Sequence, residues 1–430
     1  RQRQMCIRDR WLGGKAFWGG IQLDETAFPV LLAAALAERD ALGGIEIETM
    51  VRRALGFIAV HGPVTDQDRW EENTGINGFT LAACIAALVA GSAFLSSTDS
   101  EWALDLADYW NNRIEHWLVA RDTTLTAQLG VKGYYVRTAP LEVLQEGAAA
   151  LRRSLPIRNR EDGLSLLAEQ QVATDFLQLV RFGLRLADDP LMLDSLTVVD
   201  HLLKVDTPAG AVWRRYNGDG YGEHDDGRAY DGTGRGRPWP LLTGERGHFE
   251  LAAGRDPLPC LATMAGLASR TGLIPEQIWD GAAVPMRRLA FGRPTGSAMP
   301  LAWAHAEFVK LMVSRHTGVP LDRPKSVWSR YQGHSPKIWR AFWSLKAPMA
   351  SFIPGLRLVI LLPRPATIHW GIDGWQAVAD VATLDTQLGF HVADLDTRLL
   401  KPGQRVDFTF RWQEDNAWVG SDYYVNVASD

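Results

Sequence analysis

Residues 78–94, GFTLAACIAALVAGSAF, contain no charged side chain, and their apolar residues fall on nearly every face of a helix. A helix of that kind has to be enclosed by protein on all sides, so the chain must build a body of several helices around it. The apolar run Leu81 to Val89 is far shorter than the roughly 20 residues that cross a bilayer, which removes a membrane span as the alternative. Directly before it stand Asp68, Arg69, Trp70, Glu71, Glu72 and Asn73. Two adjacent carboxylates beside a tryptophan are thereby delivered to the edge of a buried core, where charge is costly unless it is paired or put to use. A solvated surface turn is the plain alternative.

The remaining periodicity extends this picture. With 430 residues, 46% of them hydrophobic, the chain has material for a large core and a second module, and two domains are expected. Helical spacing recurs at residues 25–41, 46–61, 102–118, 169–186, 191–203, 244–253, 258–271 and 300–314, making about nine helices stacked around a centre. Residues 119–162 break into short β-like pieces around Tyr134, Tyr135 and Val136 and read as an excursion from the core. Beyond Val319 the period changes to two: Val406, Phe408, Phe410 and Trp412 alternate onto one face of a strand, and residues 356–362, 367–370 and 422–427 also read as strands. The expected architecture is mainly α, followed by an antiparallel β domain over residues 319–430.

Composition excludes some functions and favours others. A formal net charge of -5, from 45 basic and 50 acidic residues, lacks the electrostatic footprint of a nucleic-acid binder. Cys6, Cys84 and Cys260 indicate no disulfide framework, and GxSxG, CxxC and HExxH motifs are absent. The leader, residues 1–10, is basic and polar without the apolar stretch of a signal peptide. Seventeen tryptophans against nine tyrosines, many beside Gly, Asp or Glu, suit sugar rings, whose C–H faces stack on indole while carboxylates bind their hydroxyls.

Chemistry then has to come from carboxylates. The loop at residues 217–236 offers Asp219, Glu223, Asp225, Asp226 and Asp231, hard oxygen ligands that raise a structural calcium reading, although their spacing is not that of an EF-hand. Its glycines Gly232, Gly234 and Gly236 follow no strand and precede no GK[ST], so a phosphate cradle is set aside. Glu245 fits the first turn of a helix, and Glu307, two residues from His305, fits a satisfied helix position. Glu276 follows a proline and is flanked by Ile274, Ile278 and Trp279, an awkward place for a charge unless it faces a cleft, which makes it the better partner for Glu71. Two carboxylates from distant segments, one a proton donor and the other a base, are the minimum equipment for breaking a glycosidic bond.

Taken together, GIQLDETAFPVLL, DRWEEN, YYVRTAP, RYNGDGYGE, GRPWPLLTGERGHFELAAG, GLIPEQIWD and GSAMPLAWAHAEF, in that order, resemble glycoside hydrolase family 15, the bacterial glucoamylases and glucodextranases. DTQLGFHVADL resembles the β domain that follows the catalytic domain in glucodextranase-type members. The resemblance implies an (α/α)6 barrel, without cofactor, that releases β-glucose by inversion from the non-reducing ends of α-glucans. It implies Glu71 of WEE as general acid and Glu276 of PEQ as base, with Trp70, Glu72, Arg215, Trp239 and Trp18 as substrate-binding residues. An inverting enzyme holds its two carboxyl groups roughly 6.5–9.5 Å apart. The resemblance also implies an α-glucan partner, a monomer, and a secreted or periplasmic location. Family members carry an N-terminal β-sandwich, first barrel helices and a Trp-Pro-Arg-Asp-like segment that nothing here matches. Residues 11–318 are therefore expected to form an incomplete barrel behind a foreign leader, and an inactive or merely carbohydrate-binding fragment is the rival reading.

Overall fold

Asn77 starts the central helix: its side-chain oxygen accepts the Phe79 and Thr80 N–H groups, and its amide donates to the Arg137 carbonyl and to Asp175, both at 2.8 Å. In the computed structural model, which describes residues 20–429, all fourteen residues of the resulting helix, Gly78–Gly91, are buried. This is α3 in the series α1 (Leu23–Ala37), α2 (Glu48–His61), α3 and α4 (Ser97–Leu118). After these come α5 (Leu177–Arg181), α6 (Pro190–Leu203), α7 (Pro240–Ala252), α8 (Leu258–Leu267), α9 (Ala302–Thr317) and α10 (Lys325–Tyr331). Helices α1, α2, α4, α5 and α10 surround α3, and α7 to α9 pack on one another beside α5. Five alanines along α3 let the neighbours approach closely, while Leu81, Ile85, Leu88 and Val89 each contribute about 1.5–3 kcal/mol by leaving water. The leader and Trp18 lie outside the described residues.

Two expectations need correction. The periodic stretch 169–186 is not one helix but two 3₁₀ turns, Ala168–Gln170 and Thr174–Phe176, leading into short α5. Its backbone pairs elsewhere: the Val172 N–H donates to the Asn217 side chain, the Gln171 carbonyl accepts the Arg137 N–H, and Gly183 at φ +83° ends the helix. Nor are residues 119–162 peripheral. Tyr134–Tyr135 pairs with Val119–Ala120, and Thr138–Ala139 with Ile76–Asn77, which buries Tyr134, Tyr135 and Arg137 against the start of α3.

Strands begin later than Val319, because α10 intervenes and packs on α3. They are β1 (Arg340–Ser344), β2 (Ser351–Phe352), β3 (Arg357–Leu362), β4 (Ala366–Ile372), β5 (Gln376–Ala382), β6 (Leu384–Asp385), β7 (His391–Leu395), β8 (Arg405–Trp412) and β9 (Tyr423–Val427). One sheet runs β2-β9-β8-β4-β5 and the other β6-β7-β3-β1, antiparallel except for the β2/β9 and β3/β1 pairings. Val406, Phe408 and Phe410 form the buried face of β8, and Trp343 of β1 meets the Phe408 ring at 4.9 Å, joining the two sheets. A continuous apolar core runs from the helices into the strands. Arg340 lies over Trp102 of α4 at 4.2 Å and pairs with Glu101 at 2.9 Å and with Asp105.

The closest approach is at Gly56 of α2, where a Cβ would stand 1.7 Å from the Leu388 carbonyl oxygen. Gly56→Ala is therefore expected to destabilise the chain by about 1–3 kcal/mol through overpacking, despite alanine's better helix propensity. A urea midpoint equal to or above that of the parent would contradict this packing.

Candidate active site

The stretch before α3 is a turn wound around one buried carboxylate. Asp68 Oδ1 accepts the N–H groups of Trp70 and Glu72, each at 3.1 Å, while the Asp68 carbonyl accepts the Glu71 N–H at 2.8 Å. So tight a wrap puts Glu71 at φ +62°, the left-handed region. A non-glycine residue held there costs of order 1–3 kcal/mol, and such residues cluster at functional sites. Arginines brace the turn on both sides. Arg137, fully buried, gives Nη2 to Asp68 Oδ2 and to Glu72 Oε2, both at 2.7 Å, and lies 3.5 Å over the Tyr216 ring. Arg69 chelates Glu245 at 2.6 and 3.1 Å, pairs with Asp175 at 2.7 Å, and stands 4.6 and 4.4 Å from the Trp70 and Phe79 rings.

Around Glu72 the donors are unusually dense. Besides Arg137 it accepts from Asn159 at 2.8 Å, from Arg215 at 3.2 Å and from the Tyr216 hydroxyl. Arg215 is held in place by Asp219 through two bonds of 2.8 Å. Its guanidinium then faces four rings, Tyr221 at 4.9 Å, Trp70 at 5.0 Å, Tyr216 at 5.4 Å and Trp239 at 5.6 Å. Trp70 and Trp239 meet edge to face at 5.3 Å, and the indole N–H of each is buried without an acceptor among the described residues. Two idle donors inside a protein call for an acceptor that arrives from outside.

Glu276 enters from the opposite side on an irregular segment anchored by its own N–H to the Ala298 carbonyl at 2.8 Å. The side chain is 2% exposed, and its Oε1 has no hydrogen-bond partner among the described residues. Burial pushes its pKa up to about 7, while the Tyr221 hydroxyl, the Arg215 charge and the Ala298 backbone pull the other way and nearby Glu223 adds to the rise. Glu276, Tyr221, Arg215, Glu72, Trp70 and Trp239 thus form one connected group, with Glu71 on the turn that carries Trp70 and Glu72.

The competing carboxylates are committed elsewhere. Glu245 belongs to Arg69. Glu307 takes Arg181 at 2.8 and 3.0 Å, His248 at 2.8 Å and Lys310 at 3.2 Å, and these cations hold it well below the usual carboxylate range despite its burial. The calcium reading finds no cage: Asp219 pairs with Arg215, Asp225 with Arg235 and Arg237, Asp226 with Arg228 and Asp231 with His224. Among the described residues no three His, Cys, Asp or Glu side chains converge as a metal site would require. The loop glycines serve close packing instead, since a Cβ on Gly236 would stand 2.6 Å from Asp219 and one on Gly222 2.3 Å from the Arg235 carbonyl oxygen. Sequence reasoning assigned no role to Asp68, Arg137, Asn159, Tyr216 or Tyr221. Four of these lie inside DRWEEN, YYVRTAP and RYNGDGYGE, the segments that carried the resemblance, but only their three-dimensional pairing reveals what they hold.

Fold and side-chain cluster together define the class, an (α/α)6-barrel protein with an arginine- and tryptophan-lined carboxylate site and a C-terminal β region. Residues 11–313 match the family described as Glycosyl hydrolases family 15, and the chain belongs to that family. It is similar to a glucoamylase of Clostridium sp. (strain G0005), with 37% identity over 337 residues, 76% of this chain and 44% of that protein. A crystal structure of a bacterial glucoamylase complexed with acarbose superposes with a TM-score of 0.65 at 38% identity, covering 75% of this chain and 44% of the other. A weaker similarity, 28% over 143 residues, links 29% of the chain to 14% of a cycloisomaltooligosaccharide glucanotransferase of Niallia circulans. The chain thus spans less than half the length of the glucoamylases it matches.

The pairing of Glu307 has a consequence for stability. A carboxyl group whose folded pKa is depressed contributes stability that is present above its unfolded value, roughly 4.3, and is lost as pH falls through the folded value. Glu307→Gln, which leaves Arg181 and Lys310 short of a buried partner, should lower stability at pH 7 by about 3 kcal/mol and flatten the acid side of the stability profile. Urea midpoints measured from pH 3 to pH 7 check both effects.

Proposed function

We propose that this site hydrolyses α-glucosidic bonds at the non-reducing ends of α-glucans with inversion, as a glucan 1,4-α-glucosidase or a glucodextranase, and that the chain acts as a monomer. The observation that carries the reading is Glu276: a buried carboxyl group with one oxygen unpartnered, poised near neutrality, beside two tryptophans whose N–H groups have no acceptor. The similarity to a bacterial glucoamylase complexed with acarbose supports an α-glucan as the substrate.

In this mechanism the Glu71 carboxylic acid gives its proton to the glycosidic oxygen as the bond from C1 to that oxygen breaks. Glu276 takes a proton from a water that bonds to C1 on the opposite face, so the sugar leaves as the β-anomer. Glu72 meets a sugar hydroxyl by exchanging one of its four present donors for it, and Arg215, one of those donors, offers N–H groups to the same sugar. Trp70 and Trp239 supply ring surface and N–H groups. Burial, the largest influence, raises the Glu276 pKa to about 7, and the tyrosine hydroxyl, the guanidinium and the backbone favour the ionised form that a base needs.

Glu71→Gln and Glu276→Gln should each lower glucose release by 10²–10⁴-fold or more without altering the fold, followed on maltose and isomaltose with the anomer read by NMR. Near-parental turnover in either variant would remove that residue from the mechanism. Titration of both sugars alongside the rate assay separates catalysis from binding alone, and sugar binding by the parent chain with no release would favour a non-catalytic carbohydrate-binding protein. The pH dependence separates the roles. If Glu276 is the base, kcat/KM falls as pH drops below about 7. An acid limb that stays in place in the residual activity of Glu276→Gln would take the base role away from Glu276.

A further inference from the structure

The segment that follows Arg215 brings a further carboxylate to the neighbourhood of Glu276. Tyr221 gives its hydroxyl to Glu276. Two residues on, Glu223 is 8% exposed; its Oε1 accepts the Gly296 N–H at 2.7 Å, and its Oε2 is buried without a hydrogen-bond partner among the described residues. Burial is the main cause of the high Glu276 pKa, and the charge of Glu223 adds to it. The backbone of this segment is fixed on both sides of Gly222: the Tyr221 carbonyl accepts Gln277 Nε2 at 3.1 Å, and the Glu223 carbonyl accepts Arg237 Nε at 3.0 Å and Nη2 at 2.6 Å. Arg237 forms its ion pairs with Asp280 and Asp225 and not with the Glu223 carboxylate. A buried carboxylate oxygen without a donor is costly, and the chemistry beside it can bring one.

In the hydrolytic reading above, on which this inference rests, the attacking water turns a lone pair to C1. Both of its hydrogens then point away from the sugar, and each needs an acceptor in a buried site. Glu276 takes one. Of the other groups assembled there, Arg215, Trp70 and Trp239 present only N–H donors, and Glu72 is engaged by four donors. Gln277 Oε1 is also without a donor among the described residues, but it packs against the Gly222 backbone, where a Cβ would stand 2.9 Å from it. The idle oxygen of Glu223 is the carboxylate acceptor that remains.

We propose that Glu223 is a further catalytic residue, the second acceptor of the attacking water, which gives one hydrogen to Glu276 and the other to Glu223 Oε2. As the water oxygen bonds to C1, the bond from C1 to the glycosidic oxygen breaks. Glu71 supplies the proton of the leaving oxygen, and Glu276 keeps the proton it takes from the water. The second hydrogen stays on its oxygen and becomes that of the new anomeric hydroxyl, so Glu223 exchanges no proton and acts by aiming the lone pair.

The test compares maltose with α-glucosyl fluoride, because fluoride leaves without a proton and without a second sugar. Glu223→Gln keeps an amide oxygen on the Gly296 N–H and turns an NH₂ donor to the place of Oε2, where the water needs an acceptor. It should lower kcat by about 10–100-fold on both substrates with little change in KM. Loss of the charge beside Glu276 should also move the acid limb of kcat to lower pH. A loss confined to maltose would place Glu223 against the leaving sugar and overturn the proposal. A loss as deep as that of Glu276→Gln, with the acid limb abolished, would make Glu223 the base and overturn it too. If circular dichroism shows that Glu223→Gln does not fold, Glu223→Asp, which keeps the carboxylate but withdraws it by one methylene, decides: a fall in kcat on both substrates supports the role and an unchanged kcat refutes it. A parent chain that releases no glucose from either substrate removes the hydrolytic reading and this proposal with it, whereas an active parent matched by Glu223→Gln removes the proposal alone.

Discussion

The site rests on the burial of Arg137 between Asp68 and Glu72. A fully buried guanidinium is tolerated only with carboxylate partners, and here it takes both from one five-residue turn. That single cation fixes the turn that presents Trp70, Glu71 and Glu72, and its stacking on Tyr216 extends the constraint to the segment that supplies Arg215. Removing either carboxylate would leave charge uncompensated, so the turn and the long loop are mechanically one unit. The rigid reference for both is α3, because Asn77 caps it while binding the Arg137 carbonyl.

Electrostatics sorts the buried acids into two kinds. Glu72, Glu245 and Glu307 are each matched to arginine. Glu276 is close enough to Arg215 to feel its charge but forms no ion pair with it, and its pKa is correspondingly high. The same chain thus places identical side chains in two settings, and they differ in the number and distance of the guanidinium groups around them. Unlike Glu72, Glu245 and Glu307, Glu276 also keeps an oxygen without a hydrogen-bond partner among the described residues, a feature it shares with Glu223 and Asp175.

Much of this organisation was legible in the residues themselves. The all-apolar run could only be a fully enclosed helix, and the alternation through Val406, Phe408 and Phe410 could only be a half-buried strand, because both periods are set by local geometry. The awkward setting of Glu276 between Ile274 and Ile278 also pointed to a cleft. What stayed hidden depends on contacts across the chain. The periodicity of residues 169–186 promised a helix, but Asn217 and Arg137 claimed its backbone groups. Arg137 looked like one basic residue among 45, and nothing local shows that it would be buried between two acids. The acids of the 217–236 loop suggested a cation, which is the right chemistry with the wrong partner, since arginines took the place of calcium.

The left-handed backbone at Glu71 has an evolutionary edge. Its φ of +62° is a conformation for which glycine is the natural choice and glutamate is not. Selection for thermal robustness alone would therefore press toward replacing this residue, and any lineage kept only as a scaffold or a sugar-binding surface would be free to let it drift. The turn is thus built around a side chain that its own backbone disfavours.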